Sequence, residues 1–499
     1  MKKKLILSVL LLMAMLASAC SAKQTGDSSS YSNESGETET NESSYADVEE
    51  STESYLDIEE NTERNTAEDS MLTFSLKVDT ASYSNVARYI ESGSLPPADA
   101  VKIEELINYF SYDGKQQYTG GPFSLSAEVS RSPFDAGKKI AMIRVKTEEI
   151  DTGELPPSNL TFLIDTSGSM DSYDKLPLLK EAFALLVETL DEDDRVSIVT
   201  YAGSSAVVLD SAGGAEKWKI LTAINQLEAS GSTAGAEGIQ TAYKLSAKNF
   251  IENGNNRIIL ATDGDFNVGI SSTDELEKLI SAKRDSGMYL SILGFGTGNL
   301  KDDIMETLSA NGNGNYQYIH SVADAKKSLV NELGSNLFTV ADDVKAQVEF
   351  NPQNVASYRL IGYENRRMSN EDFNDDSKDA GEIGAGTDIV MLFELELKEE
   401  NADELFVVRM RYKNPGESES KLFETPVYYS DITEKPGSDL AFACSVAGFG
   451  HLLRSSEYAG DMTIDQVVEM AENNLGSDQE GYRHNYLELL QQYRDNYRR

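Results

Sequence analysis

Cysteine is nearly missing from this chain. Cys20 and Cys444 are the two present in 499 residues, too few for a disulfide framework. Histidine is almost as scarce. His320, His451 and His484 stand in no recognisable catalytic setting, which leaves a serine or threonine nucleophile without a base. The patterns H-E-x-x-H and the phosphate-binding loop are absent, which argues against a zinc peptidase and against nucleotide binding. Positive charge is also short. There are 44 Lys and Arg against 84 Asp and Glu, a formal net charge of −40. Such a chain repels the phosphates of nucleic acid and of anionic lipid. Apolar length is short near the start: residues 5–16 make a run of about a dozen, where a membrane span needs roughly 20.

That run has the form of an export signal. Lys2, Lys3 and Lys4 precede it, and it closes on "LASAC". Ala17-Ser18-Ala19 suits ordinary signal peptidase. The cysteine directly after looks like a bacterial lipobox, with Cys20 lipidated as the new N-terminus. Both readings cut the same bond. Residues 1–20 are expected to be a lipoprotein signal peptide, making the protein exported and lipid-anchored to the bacterial envelope membrane. Residues 21–70 are rich in Ser, Thr, Asn and Glu and offer almost nothing to bury. They are expected to form a disordered acidic tether, or the leftover tail of a freely secreted protein. Cys444, in the apolar helical run "LAFACSVAGFGHLL", reads as an inert core thiol.

Structure begins near Met71. Residues 71–157 read as an extension of helices and strands. From 158 to 337 the period changes. Apolar β-branched strands ("LTFLID", "RVSIVTYA", "NRIILATDG", "YLSILGFG") alternate with amphipathic helices such as "LPLLKEAFALLVETL". That alternation predicts an α/β domain with a mostly parallel sheet between helices. Residues 338–435 hold five strand-like runs, an antiparallel β-sandwich region, and 436–499 three helical runs. The two strands between Phe123 and Lys146 are too few for a sheet of their own. They are expected to pair with the later ones, making the α/β domain an insertion into a composite sandwich.

In open parallel sheets, ligands bind beyond the carboxyl ends of the strands. Three groups of hard oxygens fall in such places. "LTFLIDTSGSMDS" offers Asp165, Ser167 and Ser169. The glycine-rich "EASGSTAGAEG" offers Ser232 and Thr233. "ATDGD" offers Asp263 and Asp265. With no His or Cys among them, the set selects Mg²⁺, with Mn²⁺ or Ca²⁺ as alternatives, over zinc. Two carboxylates neutralise a divalent ion formally, and hydroxyls fill sites without adding charge. The ion stays electrophilic and short of one ligand, which a carboxylate from outside would supply. Ser167 and Ser169 acting merely as caps of the next turn would leave Thr233 and Asp263 as coincidences.

The pattern D-x-S-x-S, then a loop Thr, then Asp resembles the metal-ion-dependent adhesion site (MIDAS) of von Willebrand factor type A domains. Beyond that domain, "DKLPLLK", "DRVSIVTYAG", "SGSTAG", "NNRIILATDGDFNVG", "LGFGTGN" and "YRLIGYENR" resemble the bacterial YfbK-type von Willebrand A lipoproteins, from about Phe74 to the C-terminus. The resemblance implies direct metal ligation by Ser167, Ser169 and Thr233. Asp165 and Asp263 would act directly or through water, and Asp265 would order its loop. It also implies an envelope protein that binds a protein ligand through an Asp or Glu carboxylate. One position departs: Thr387 stands where the family is expected to have a His.

Two other classes fit parts of the pattern. The metal could be completed by an acid of the flanking domains, giving a structural interdomain clamp. A metal-dependent hydrolase is the remaining alternative, but Ser167 cannot replace the acid such a site needs at that position, and the expectation is no catalysis. The loop "NEDFNDDSKDAGE" lacks the Gly and Glu of an EF-hand and reads as a solvated loop. The Tyr-rich C-terminus reads as a docking helix.

Overall fold

Two sheets facing one another form the frame, and both are assembled from opposite ends of the chain. The computed structural model describes residues 51–77, 79–114, 121–150, 155–232, 235–264, 273–398 and 403–497. The expected signal peptide of residues 1–20, with Cys20, and residues 21–50 of the expected tether lie outside the described residues. The first part supplies β1 (Arg64–Asn65), β2 (Met71–Ser75), α1 (Ala81–Glu91), α2 (Ile103–Asn108), β3 (Phe123–Arg131) and β4 (Lys139–Thr147). The middle supplies β5 (Ser158–Asp165), α3 (Leu176–Glu188), β6 (Arg195–Tyr201), β7 (Ser205–Gly213), α4 (Lys217–Asn225), α5 (Gly235–Lys248), β8 (Asn255–Thr262), α6 (Thr273–Arg284), β9 (Met288–Phe295), α7 (Asp302–Asn311), β10 (Tyr316–Ile319), α8 (Val322–Lys326) and α9 (Leu333–Leu337). The last part supplies β11 (Thr339–Phe350), β12 (Val355–Ile361), β13 (Arg367–Met368), β14 (Gly381–Gly384), β15 (Asp388–Leu397), β16 (Glu404–Lys413), β17 (Lys421–Tyr428), α10 (Ser438–Arg454), α11 (Ile464–Glu472) and α12 (Tyr482–Tyr497).

The middle sheet runs β10-β9-β8-β5-β6-β7, parallel except for the β6–β7 hairpin. Every residue of β5 and β8 is buried, as expected of strands covered on both faces. On α3, Leu179, Ala182, Phe183 and Leu186 recur at helical spacing and are buried. Phe183 stacks on Phe162 of β5 with ring centroids 4.3 Å apart. Each of the buried Leu and Phe side chains contributes roughly 1.5–3 kcal/mol through its burial.

The sandwich sheets run β1-β12-β15-β4-β3 and β13-β2-β11-β16-β17. β4 pairs with β15, placing Ile143 opposite Met391. β2 pairs with β11, placing Leu72 opposite Val348. The expected composite is therefore present. The first sheet is buried on both faces rather than one. Ala141, Ile143, Met391 and Phe393 face the second sheet, while Ile140, Met142, Val390 and Leu392 face a layer of helices. That layer joins α1 and α2 to α10, α11 and α12 in one core. Residues 71–157 and 436–499 are thus parts of shared layers, not bodies of their own. Cys444 lies inside this core, where burial pushes its thiol up.

The expected tether reaches too far. Residues 51–70 are built into the fold. Asn61 and Thr66 are buried and donate to the carbonyls of Gly362 (2.7 Å) and Val355 (2.6 Å). Glu53 takes a two-pronged bond from Arg88, at 2.9 and 3.0 Å. Paired charges and backbone bonds, rather than apolar bulk, hold this strap. Among the described residues no helix is long and apolar enough to cross a membrane.

A buried ionic seam joins α7 of the middle domain to the helical layer. Lys102 reaches Asp302 and Glu306, both at 2.7 Å, and Arg366 reaches Glu306 at 2.7 Å and Asp79 at 3.1 Å. Burial pushes the nearby Glu105 up to about 8, against the pull of Lys102.

Candidate metal centre

β5 and β8 are parallel neighbours with Ile164 opposite Ala261, so both strands deliver a carboxylate past the same sheet edge. Asp165 and Asp263 are each 0% exposed. The Ser167 N–H donates to Asp165 Oδ1 at 2.8 Å, and the Thr262 hydroxyl donates to Oδ2 at 3.3 Å. Ser167 heads a short 3-10 turn, Gly168–Asp171, yet its side chain makes no capping hydrogen bond. Its hydroxyl instead lies 3.0 Å from that of Ser169. Ser167 is buried and Ser169 exposed.

The glycine-rich loop is tied to the same place by its backbone. Ser230 N–H donates to the Thr166 carbonyl at 2.7 Å, and Gly168 N–H to the Gly231 carbonyl at 3.0 Å. Gly231 has φ +83°, a left-handed turn that favours glycine. Ser232 is exposed beside it. Thr233 and Asp265 lie outside the described residues. Asp165, Ser167, Ser169 and Asp263 thus meet at one edge, next to the loop that carries Thr233.

The two acids differ in charge environment. Burial pushes Asp165 up to about 6; hydrogen bonds from Ser167 draw it down, and neighbouring Asp263 pushes it further up. Burial also raises Asp263, but the Lys175 ammonium, together with hydrogen bonds from Asn299 and Ser169, outweighs that and leaves it below the usual carboxylate range. Lys175 Nζ sits 2.9 Å from Asp263 Oδ2 and 3.2 Å from Asn299 Oδ1. The stem of Lys175 passes over Gly296, where a β-carbon would collide with it. Lys175 and Asn299 are site residues that motif reading misses. Lys175 lay in view in "DKLPLLK", but only the fold brings it to Asp263.

This donor set fits a hard divalent ion. It pairs two buried carboxylates, one of them carrying an uncompensated desolvation cost, with hydroxyls not spent on capping. Among the described residues no cluster of three or more His, Cys, Asp or Glu side chains is placed to hold a metal. The acidic loop after Asn370 is tied down by cations: Lys378 pairs with Asp372 and Arg411 with Asp376. Thr387 lies in the sandwich, its hydroxyl donating to the Gly384 carbonyl at 2.8 Å.

Family models match along the chain: "von Willebrand factor" over residues 49–142, "von Willebrand factor type A domain" over 159–333, and "Uncharacterized protein YfbK, C-terminal" over 335–495. The YfbK protein of Escherichia coli (strain K12) is 41% identical over 454 residues, covering 86% of this chain and 79% of that one. The chain belongs to the YfbK-like von Willebrand factor type A family. Members of the wider domain family also match. Inter-alpha-trypsin inhibitor heavy chain H3 of Homo sapiens is 26% identical over 262 residues, covering 49% of this chain and 29% of that one. The solved von Willebrand factor type A structure from Catenulispora acidiphila is 16% identical with a TM-score of 0.44, covering 76% of this chain and 91% of that one. Homologues with the von Willebrand A domain point to protein–protein interaction or adhesion. Such domains commonly bind a divalent metal at a MIDAS, and most are non-catalytic.

Proposed function

We propose that this YfbK-like protein is an exported envelope lipoprotein, anchored through Cys20, that binds a protein partner through a Mg²⁺-dependent adhesion site. Asp165, Ser167, Ser169, Thr233 and Asp263 would hold the ion, and an Asp or Glu carboxylate of the partner would complete it. The observation that carries this reading is the convergence of Asp165 and Asp263 with the two serine hydroxyls at one strand edge. When bound, the ion supplies an electrophile with room for an anionic ligand. The chain's own groups hold and orient it. Asp165 is fixed by Ser167 and Thr262, and the serine hydroxyls add oxygens without adding charge. Among the described residues none near the site is arranged as a nucleophile with its base, and the role proposed is binding.

The test is a pull-down from envelope extract with Mg²⁺ and with EDTA, using the wild type and an Asp165→Ala, Asp263→Ala double variant. Capture is expected with Mg²⁺ and the wild type only. Full capture by the double variant in EDTA would end the reading. If EDTA released no partner and merely lowered the melting temperature, the site would be an interdomain clamp.

A further inference from the structure

We propose that Lys175 is the resident counter-cation of the metal centre. It holds Asp263 while the ion is away, weakens the ion's grip, and leaves the loaded centre positive toward an anionic partner. The inference rests on the metal reading above and adds a residue that no MIDAS position covers.

Lys175 is committed to this place. Its side chain is 9% exposed, and buried lysines are rare unless paired. Nζ bonds both Asp263 Oδ2 at 2.9 Å and Asn299 Oδ1 at 3.2 Å. The helix offers no reason for it. Lys175 is the N-cap of α3 and caps nothing with its side chain, and a positive charge at a helix N-terminus opposes the helix dipole. What the ammonium does serve is Asp263.

Formal charge gives the consequence. Asp165 and Asp263 with Lys175 leave one net negative charge. A divalent ion turns that into one net positive charge, whereas without Lys175 the loaded centre would be neutral. Lys175 therefore trades affinity for the metal against affinity for a carboxylate.

The strap sets how firmly Lys175 is held. Asn299 belongs to the loop after β9, and residues 52–54 run along that loop. Thr52 N–H donates to the Gly298 carbonyl at 2.8 Å and Ser54 N–H to the Leu300 carbonyl at 2.9 Å. Gly298 N–H donates to Glu53 Oε1 at 2.7 Å. Asp302 N–H, at the start of α7, donates to the Ser54 carbonyl at 3.0 Å. Two bonded steps thus join the N-terminal strap to the ammonium.

The experiment is a calorimetric titration of the full chain with Mn²⁺ and Mg²⁺, comparing wild type, Lys175→Met, Lys175→Arg, Glu53→Ala and the Glu53→Ala, Lys175→Met double variant. Removing one cation beside the ion should tighten Mn²⁺ binding about tenfold or more, while Lys175→Arg stays near wild type. A side chain with only a structural role would not give a gain of affinity. Glu53→Ala should tighten binding by about two- to fivefold in the wild type and leave it unchanged with Met at 175, because coupled sites are not additive. Ion binding by Lys175→Met alone would also support the proposal. If the wild type binds the ion and Lys175→Met binds it no tighter, the proposal is overturned while the metal reading stands. If neither binds, both fall. A Glu53→Ala shift of equal size in both backgrounds overturns the strap's part.

Discussion

Asp165 carries a cost that a cation would remove. Its folded pKa of about 6 lies above the usual carboxylate value, so the folded state holds the proton more tightly than the unfolded one. Stability contributed by this group therefore falls as pH rises through that interval and is fully lost above about pH 6. The raised pKa corresponds to about 3 kcal/mol at neutral pH. Asp165→Asn should accordingly raise the melting temperature of the metal-free protein at pH 8. The gain should fade below about pH 4, and added Mg²⁺ should no longer stabilise the variant. A metal-free variant that melts below wild type at pH 8 would contradict this. At this scale the sequence was informative wherever chemistry is packed into a few positions: Asp165, Ser167 and Ser169 lie within one turn. Lys175 and Asn299 were hidden because their meaning depends on approach across 88 and 124 positions.

The strap shows the same limit for an element. Its composition is that of a disordered segment, with Tyr55, Leu56 and Ile58 spread thinly among acids. Yet Glu53 is held by Arg88, by the hydroxyls of Tyr55 and Tyr89, and by the Gly298 N–H. Burial alone would raise Glu53, but Arg88, with the hydroxyls of Tyr89 and Tyr55, outweighs it and holds the carboxyl down at about 2. The sign is opposite to that of Asp165. Stability from Glu53 is fully present above its unfolded pKa of about 4.5 and is lost as pH falls from there toward 2. Wild type should therefore melt above Glu53→Gln at pH 6, and the gap should close on acidification to pH 2–3. A gap that stays constant with pH would show that Glu53 is not ionised against Arg88. Periodicity, by contrast, made α3 and β5 legible, because their burial follows from spacing alone.

For the whole molecule, the insertion of the von Willebrand A domain was legible from a shortage: two strands before it cannot make a sheet. The helical layer was not legible, since nothing in α1 or α12 says that their apolar faces share one core. A fragment of residues 71–155 should be unfolded by NMR and circular dichroism, because β4 lacks β15 and β2 lacks β11. A dispersed, cooperatively melting fragment would refute the composite. The pairing of β4 with β15 also fixes an order of events. Partners such as Ser132 and Glu394 are 262 positions apart, whereas the middle sheet pairs only strands lying between residues 158 and 319. At ~5–20 residues per second of synthesis, the late partners trail the early strands by roughly ten seconds to most of a minute. Throughout that delay β2 has no mate and the β3–β4 pair keeps the open edge that β15 will cover, while the inserted domain can already close. The protein should mature from the middle outward, and the interval before β15 arrives is when it is most exposed to aggregation and most in need of a chaperone.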